Sequence, residues 1–174
     1  VFLLLVLAVA LPIILPLGLK TQSTPLTEQV YDLVNSLPAG APVIISFDYD
    51  PSTITELQPM AEAVIEHAWR KGHKVIATAM WPQGPQVAEM AFNVVQARME
   101  EKDPNARKLM YGVDYVNLGY KPGRMVTIQG MGRSMEAIFP TDIRGLKYNK
   151  IPMLSPVRTL KDIRYVISLS AGDP

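Results

Sequence analysis

The chain has 174 residues, no cysteine, and 17 basic against 16 acidic side chains, a net charge of +1. Without cysteine there are no disulfides, thiolate nucleophiles or cysteine-ligated metals, and so even a balance offers none of the concentrated basic surface that nucleic acid requires. The compartment stays open, because a cysteine-free domain survives on either side of a membrane.

Residues 1–19 (VFLLLVLAVALPIILPLGL) carry no charge. At 1.5 Å rise per residue, a helix of this length reaches about 28 Å, close to the roughly 30 Å of a bilayer's hydrocarbon core. The run predicts a transmembrane helix. Pro12 and Pro16 each delete a backbone hydrogen bond, a loss that helices in membranes tolerate when neighbouring groups re-satisfy the carbonyls. An uncleaved signal peptide and a buried core helix are the alternatives. A signal's apolar stretch is usually shorter, with a basic segment before it and a small-residue cleavage site after it, and neither flank is visible in these residues. Because the first residue is Val1, the expectation is that the natural N-terminus lies upstream. Lys20 is the only cation near the helix end, so charge bias leaves the membrane side open.

The remaining 155 residues suit a single domain. Residues 21–25 read as a polar linker. Leu26, Val30, Leu33, Val34 and Leu37 recur at helical spacing, predicting a short amphipathic helix that stops before Pro38. Residues 43–47 (VIISF) are apolar and rich in β-branched side chains, as expected of a strand covered on both faces. Thr53 and Glu56 form a capping-box pattern opening a helix with Met60, Ala61, Val64, Ile65 and Ala68 inward, and Gly72 stops it. Residues 74–80 (KVIATAM) predict the second buried strand. A helix over 85–101 follows and breaks at Asp103 and Pro104. A third strand is expected over 115–118, a fourth over 125–129 after the turn at Pro122 and Gly123, and a short helix over 131–139. Residues 140–156 read as irregular, 159–163 as one helical turn, and 165–169 as the last strand.

Buried apolar strands alternating with amphipathic helices predict an α/β fold: a three-layer, Rossmann-like domain over 43–174 with a mainly parallel sheet. Residues 1–19 would be its one transmembrane helix and 20–42 a linker with a short helix.

In such sheets ligands bind beyond the carboxyl ends of the strands. Asp48 and Asp50 would gather there with Thr78, Trp81, Tyr120, Lys121 and Asp173. FDYDPS at 47–52 resembles the first motif of the haloacid-dehalogenase-like phosphotransferases. That resemblance implies a nucleophilic Asp48, a general acid/base at Asp50 and a nearby Mg²⁺, with Thr78 and Asp173 echoing later motifs. Against it, a helix begins almost at once after Asp50, and the family's flanked lysine is absent. The plainer expectation is that Asp50 turns and caps the chain while Asp48 bonds a neighbouring loop. GYKPG at 119–123, with Lys121, and Gly130 with Gly132 suggest an anion cradle or simple turn formers. His67 and His73 stand six apart without a carboxylate in register, which predicts surface or helix-end roles and no metal site. Trp81 is either a partner contact or a lid on the sheet edge. The methionines read as packing filler.

SFDYDP at 46–51, ELQPM at 56–60, WPQG at 81–84, LGYKPG at 118–123, FPTD at 139–142 and SAGD at 170–173 together resemble a family of uncharacterised bacterial membrane proteins. The resemblance implies a longer protein with further membrane helices and carries no known activity. Two readings follow. One is a non-catalytic, membrane-anchored α/β domain, an accessory or assembly subunit in contact with the lipid bilayer and with integral membrane protein partners, without a cofactor or catalytic residue. The other is a phosphate- or small-molecule-handling site at the strand ends, using Asp48 and Asp50 with Mg²⁺.

Overall fold

The computed structural model describes residues 1–14, 23–105 and 107–172. It divides into two compact units, Val1–Leu33 and one beginning at Val34. The first contains helix α1 (Phe2–Ile14) and most of α2 (Pro25–Ser36). Along α1 the apolar side chains of Phe2, Leu3, Leu4, Leu5 and Val6 are all more than 60% exposed. No described helix is long and apolar enough to cross a membrane. Residues 15–19, which would complete the expected span, lie outside the described residues.

The second unit is built on four parallel strands: β1 (Pro42–Asp48), β2 (Lys74–Ala79), β3 (Tyr115–Tyr120) and β4 (Tyr165–Ser170), in the order β3-β2-β1-β4. Val43 pairs with Val75 on one side and Tyr165 on the other. Side chains alternate across the sheet. Val43, Ile45, Phe47, Val75 and Ala77 pack against α3 (Ile54–Arg70) and α4 (Gly84–Lys102). Ile44, Ile76, Val116 and Leu118 point the other way, onto Met131, Met135, Phe139 and Leu154. Both faces of β1 and β2 are therefore covered, which is why these strands read as continuous apolar runs.

Three expectations change. Residues 125–129 are helical, within α5 (Arg124–Met131), instead of a fourth strand. The outer edge of β3 is already closed: Gly112 N–H donates to the Tyr115 carbonyl at 2.7 Å and Ile143 N–H to the Asn117 carbonyl at 3.1 Å. Gly123, at φ 99°, turns the chain into the helix, and the Thr127 hydroxyl donates to the Pro122 carbonyl at 2.6 Å. Only Thr127 and Met131, one turn apart, face inward; Met125, Val126 and Ile128 stay exposed. The helix expected over 131–139 is the end of α5, a turn, and the single turn α6 (Met135–Ile138). The Thr53–Glu56 capping box does not form. Asp50 instead caps a one-turn 3-10 helix (Pro51–Thr53) by accepting the Ser52 N–H, and the Thr53 hydroxyl donates back to the Asp50 carbonyl. An Asp-Pro-Ser turn nucleates earlier than the box would. By contrast, Thr159 and Asp162 make a capping box around the expected turn before β4.

His73 lies at the helix end, as one of the two expected roles has it, but it is not at the surface: it is 1% exposed at the joint between α3 and β2. Among the described residues neither ring nitrogen has a hydrogen-bond partner, nor does the hydroxyl of Tyr165, whose ring lies edge-on at 6.5 Å. Burial pulls the imidazole's pKa below its ordinary value; the Leu37 carbonyl opposes this from outside hydrogen-bonding geometry, and Lys71 adds to it. The unfolded chain thus takes up a proton below about pH 6.5 while the folded chain resists it, so stability falls as pH drops through that window. His73→Leu should flatten part of this acid decline, because it removes two unsatisfied nitrogens and one titration. Thermal unfolding from about pH 7.5 to about pH 5 tests this; a variant with the parent's full acid slope refutes it. His67, also lowered, by burial first and by Lys71 and His73 after it, leaves a residual slope.

Candidate functional site: the carboxyl end of the sheet

Connections leave β1 toward β2 on one side and arrive at β4 on the other, so the boundary between β1 and β4 is where an open parallel sheet offers a crevice. Asp48, the last residue of β1, stands there at 2% exposure. Its Oδ1 accepts the Met80 N–H at 2.6 Å, just past β2. Its Oδ2 accepts the Ser46 hydroxyl at 2.7 Å and the Ser168 hydroxyl of β4 at 3.1 Å. One carboxylate thus ties the exit of β2, the end of β1 and the middle of β4. Charge-assisted bonds of this kind are about twice as strong as neutral ones, and three of them hold a charge that burial would otherwise disfavour.

Asp50 turns to different partners. Its Oδ1 accepts the Ser52 N–H at 2.8 Å and the Ser52 hydroxyl at 2.6 Å, which together hold the carboxyl below its ordinary range. Among the described residues the two aspartates share no hydrogen-bond partner. Tyr49 between them is fully buried and donates to Gln58 Oε1 at 2.7 Å, and Gln58 Nε2 reaches the Val87 carbonyl. Burial, with Glu62 adding to it, drives the Tyr49 phenol well above its ordinary pKa. It anchors β1 to α3 and α4 and stays protonated.

Thr78 is buried in register with Ser46. Lys121 donates its backbone N–H to the Ala79 carbonyl at 2.9 Å, and its ammonium lies 5.8 Å from the centre of the Phe139 ring. Trp81 is half-buried beside Gly172, where an added Cβ would sit 3.8 Å from the indole. Asp173 lies outside the described residues. Among the described residues no group of three or more His, Asp or Glu side chains is arranged to hold a metal ion. The glycines of the expected anion cradle have structural work. Gly119 N–H is taken by Asn117 Oδ1 at 3.1 Å, and a Cβ on Gly130 would come within 2.4 Å of Ile138.

Two polar clusters escaped the sequence reading. Asp114, buried beside the amino end of β3, accepts from Lys74 Nζ at 2.9 Å, the Met110 N–H at 2.9 Å and the Arg107 guanidinium. Burial pushes its pKa upward, but these partners outweigh it and hold the carboxyl low. Asp142 accepts the Arg144 and Leu146 N–H groups and the Tyr111 hydroxyl, while the Arg144 guanidinium stacks 3.4 Å over the Tyr111 ring. Both fasten loops around β3. Of the clamp at Asp48, Ser46 could have been found, because a residue two positions earlier in a strand shares its face. Ser168, 120 residues away, leaves no such signal. Comparison with family models, with curated proteins and with solved structures gives no match to this chain.

Proposed function

We propose that this chain is a membrane-anchored, Rossmann-like α/β domain that serves as a non-catalytic accessory or assembly subunit of a larger membrane protein complex. The observation that carries the reading is α1, where Phe2, Leu3, Leu4, Leu5, Val6, Val9 and Leu11 are all more than half exposed. Contiguous exposed apolar surface on this scale marks contact with a membrane or a partner. Residues 15–19 continue the same uncharged composition, so a bilayer is the occupant that fits the length of the run. The non-catalytic part rests on the two aspartates, since each carboxylate is engaged in holding the fold: Asp48 ties β1 to the exit of β2 and to β4, and Asp50 holds the turn that follows it. One observation favours the alternative, a Mg²⁺-dependent phosphate-handling site: Asp48 stands at the boundary where such sheets bind ligands.

Washing membranes with alkaline carbonate separates integral from peripheral attachment. The full chain should remain in the pellet. A chain beginning at Lys20 should move to the supernatant and unfold at the parent's temperature, and a truncated chain that still pellets would sink the anchor. For the site, the parent should show no Mg²⁺-dependent thermal shift. A shift that disappears in the Asp48→Asn/Asp50→Asn double variant would reverse the order of the two readings.

A further inference from the structure

Away from the strand ends, α6 and the irregular segment 148–158 enclose a groove of about 530 Å³, within the range of small-molecule sites. Its floor is formed by Tyr148, Leu154 and Val157, all at most 4% exposed and part of the second core cluster. Arg133, Ser134, Ser155 and Arg158 stand on its walls. The walls are fastened to each other: Met135 N–H donates to the Arg158 carbonyl at 2.8 Å, and the Tyr148 hydroxyl to the Val157 carbonyl at 2.8 Å. Both arginine-bearing strips therefore keep their places without a ligand.

The arginines differ from most others in the domain. Arg70, Arg98, Arg107 and Arg144 are each paired with a carboxylate. Among the described residues neither Arg133 nor Arg158 forms an ion pair; Asp162, the acid nearest in sequence to Arg158, accepts the Thr159 and Arg158 N–H groups at 2.9 and 2.8 Å, which hold its carboxyl low, with the Arg158 charge adding to them from beyond ion-pair distance. Ser134 Oγ accepts the Ala137 N–H at 3.1 Å, leaving its proton free to donate into the groove. Glu136 closes one end, held by Asn149 Nδ2 at 3.1 Å.

We propose that this groove binds a compound bearing a single phosphate, held by the Arg133 and Arg158 guanidinium groups with the Ser134 and Ser155 hydroxyls. Guanidinium forks match phosphate oxygens two at a time. Glu136 sets the rest of the specificity. It repels a second phosphate and, with Asn149, accepts from a hydroxyl or amine on the same ligand, while the apolar floor takes the carbon skeleton. Phosphate on a soluble metabolite and phosphate in a lipid head group present the same chemistry, so the source is decided by experiment.

The full chain in detergent is titrated calorimetrically with glycerol 3-phosphate, with sulfate as a control for bulk charge. In parallel, its α1-deleted form is mixed with phosphatidylglycerol vesicles. Glycerol 3-phosphate should bind with 1:1 stoichiometry and sulfate at least tenfold more weakly. Arg133→Gln/Arg158→Gln should weaken binding at least tenfold, Arg158→Lys by less, and Arg124→Gln, outside the groove, not at all. Vesicle binding that needs both arginines, without binding of the soluble compound, assigns the phosphate to a head group. If neither probe binds the parent, or the double variant binds as the parent does, the groove is not a phosphate site. Arg158→Lys preserves charge and decides the matter should the double variant fail to fold.

Discussion

Gly84→Ala should destabilise the domain by about 3 kcal/mol or more, the upper part of the range for overpacking a core. Gly84 is the first residue of α4 and is buried, and its backbone angles suit any residue, so conformation is not what requires glycine there. Helix propensity alone would favour alanine by up to about 1 kcal/mol. Space decides the sign. An added Cβ would lie 2.1 Å from the Phe47 carbonyl oxygen and 2.3 Å from Ala79 Cβ. One obstacle is backbone and the other is a Cβ fixed to a strand, so neither can rotate aside. To relieve the clash, α4 must lift from the ends of β1 and β2, loosening Val87, Ala88 and Ala91 from the first core cluster. The disturbance reaches the site as well, because Phe47 immediately precedes Asp48 and Ala79 immediately precedes the Met80 N–H that Asp48 accepts. Chemical unfolding of the two proteins, read as the shift in midpoint at constant slope, measures the effect. An alanine variant as stable as the parent would mean that α4 does not approach the sheet this closely.

That close approach was not legible in WPQG, where no local pattern marks Gly84 as buried against the strands. What was legible followed from periodicity. Both central strands, the helices between them and the parallel β1–β2 pairing could be read from apolar runs and stripes, because burial on both faces writes itself into consecutive residues. Residues 125–129 failed for the same physical reason. MVTIQ has strand-like composition, yet the edge it would have joined is closed by Tyr111, Gly112 and Ile143, contacts that no local pattern encodes. The site divided in a similar way. Asp50 as a turn and cap was readable from the prolyl dipeptide after it, and Asp48 bonded to the neighbouring loop was foreseen in kind. Its hydroxyl partner on β4, the burial of His73 and the presence of Arg133 and Arg158 on one groove depend on chain segments brought together only by the fold.

Asp48→Ala should cost about 3 to 5 kcal/mol, because three donors lose a charged acceptor at once and a buried unsatisfied donor alone costs about 1 to 3 kcal/mol. The Met80 N–H has the least freedom, since it belongs to the backbone at the exit of β2. Ser46 and Ser168 can rotate their hydroxyls toward each other or toward carbonyls, so their share is smaller. Asp48→Asn is the more informative change. Its carbonyl can keep the Met80 bond, and its amide must donate to hydroxyls that previously donated to it, a reversal costing about 1 to 2 kcal/mol. The sign separates the two readings of this residue. Carboxylates kept for chemistry usually burden the fold, and their neutral replacements leave stability unchanged or raise it. A clamp behaves in the opposite way, and its loss should also spread to β4, which among the described strands pairs only with β1. Amide exchange along residues 165–170, compared between parent and Asp48→Asn, should accelerate there before it does in β2 and β3. An asparagine variant that is more stable than the parent, with exchange in β4 unchanged, would return Asp48 to the list of residues held for a ligand.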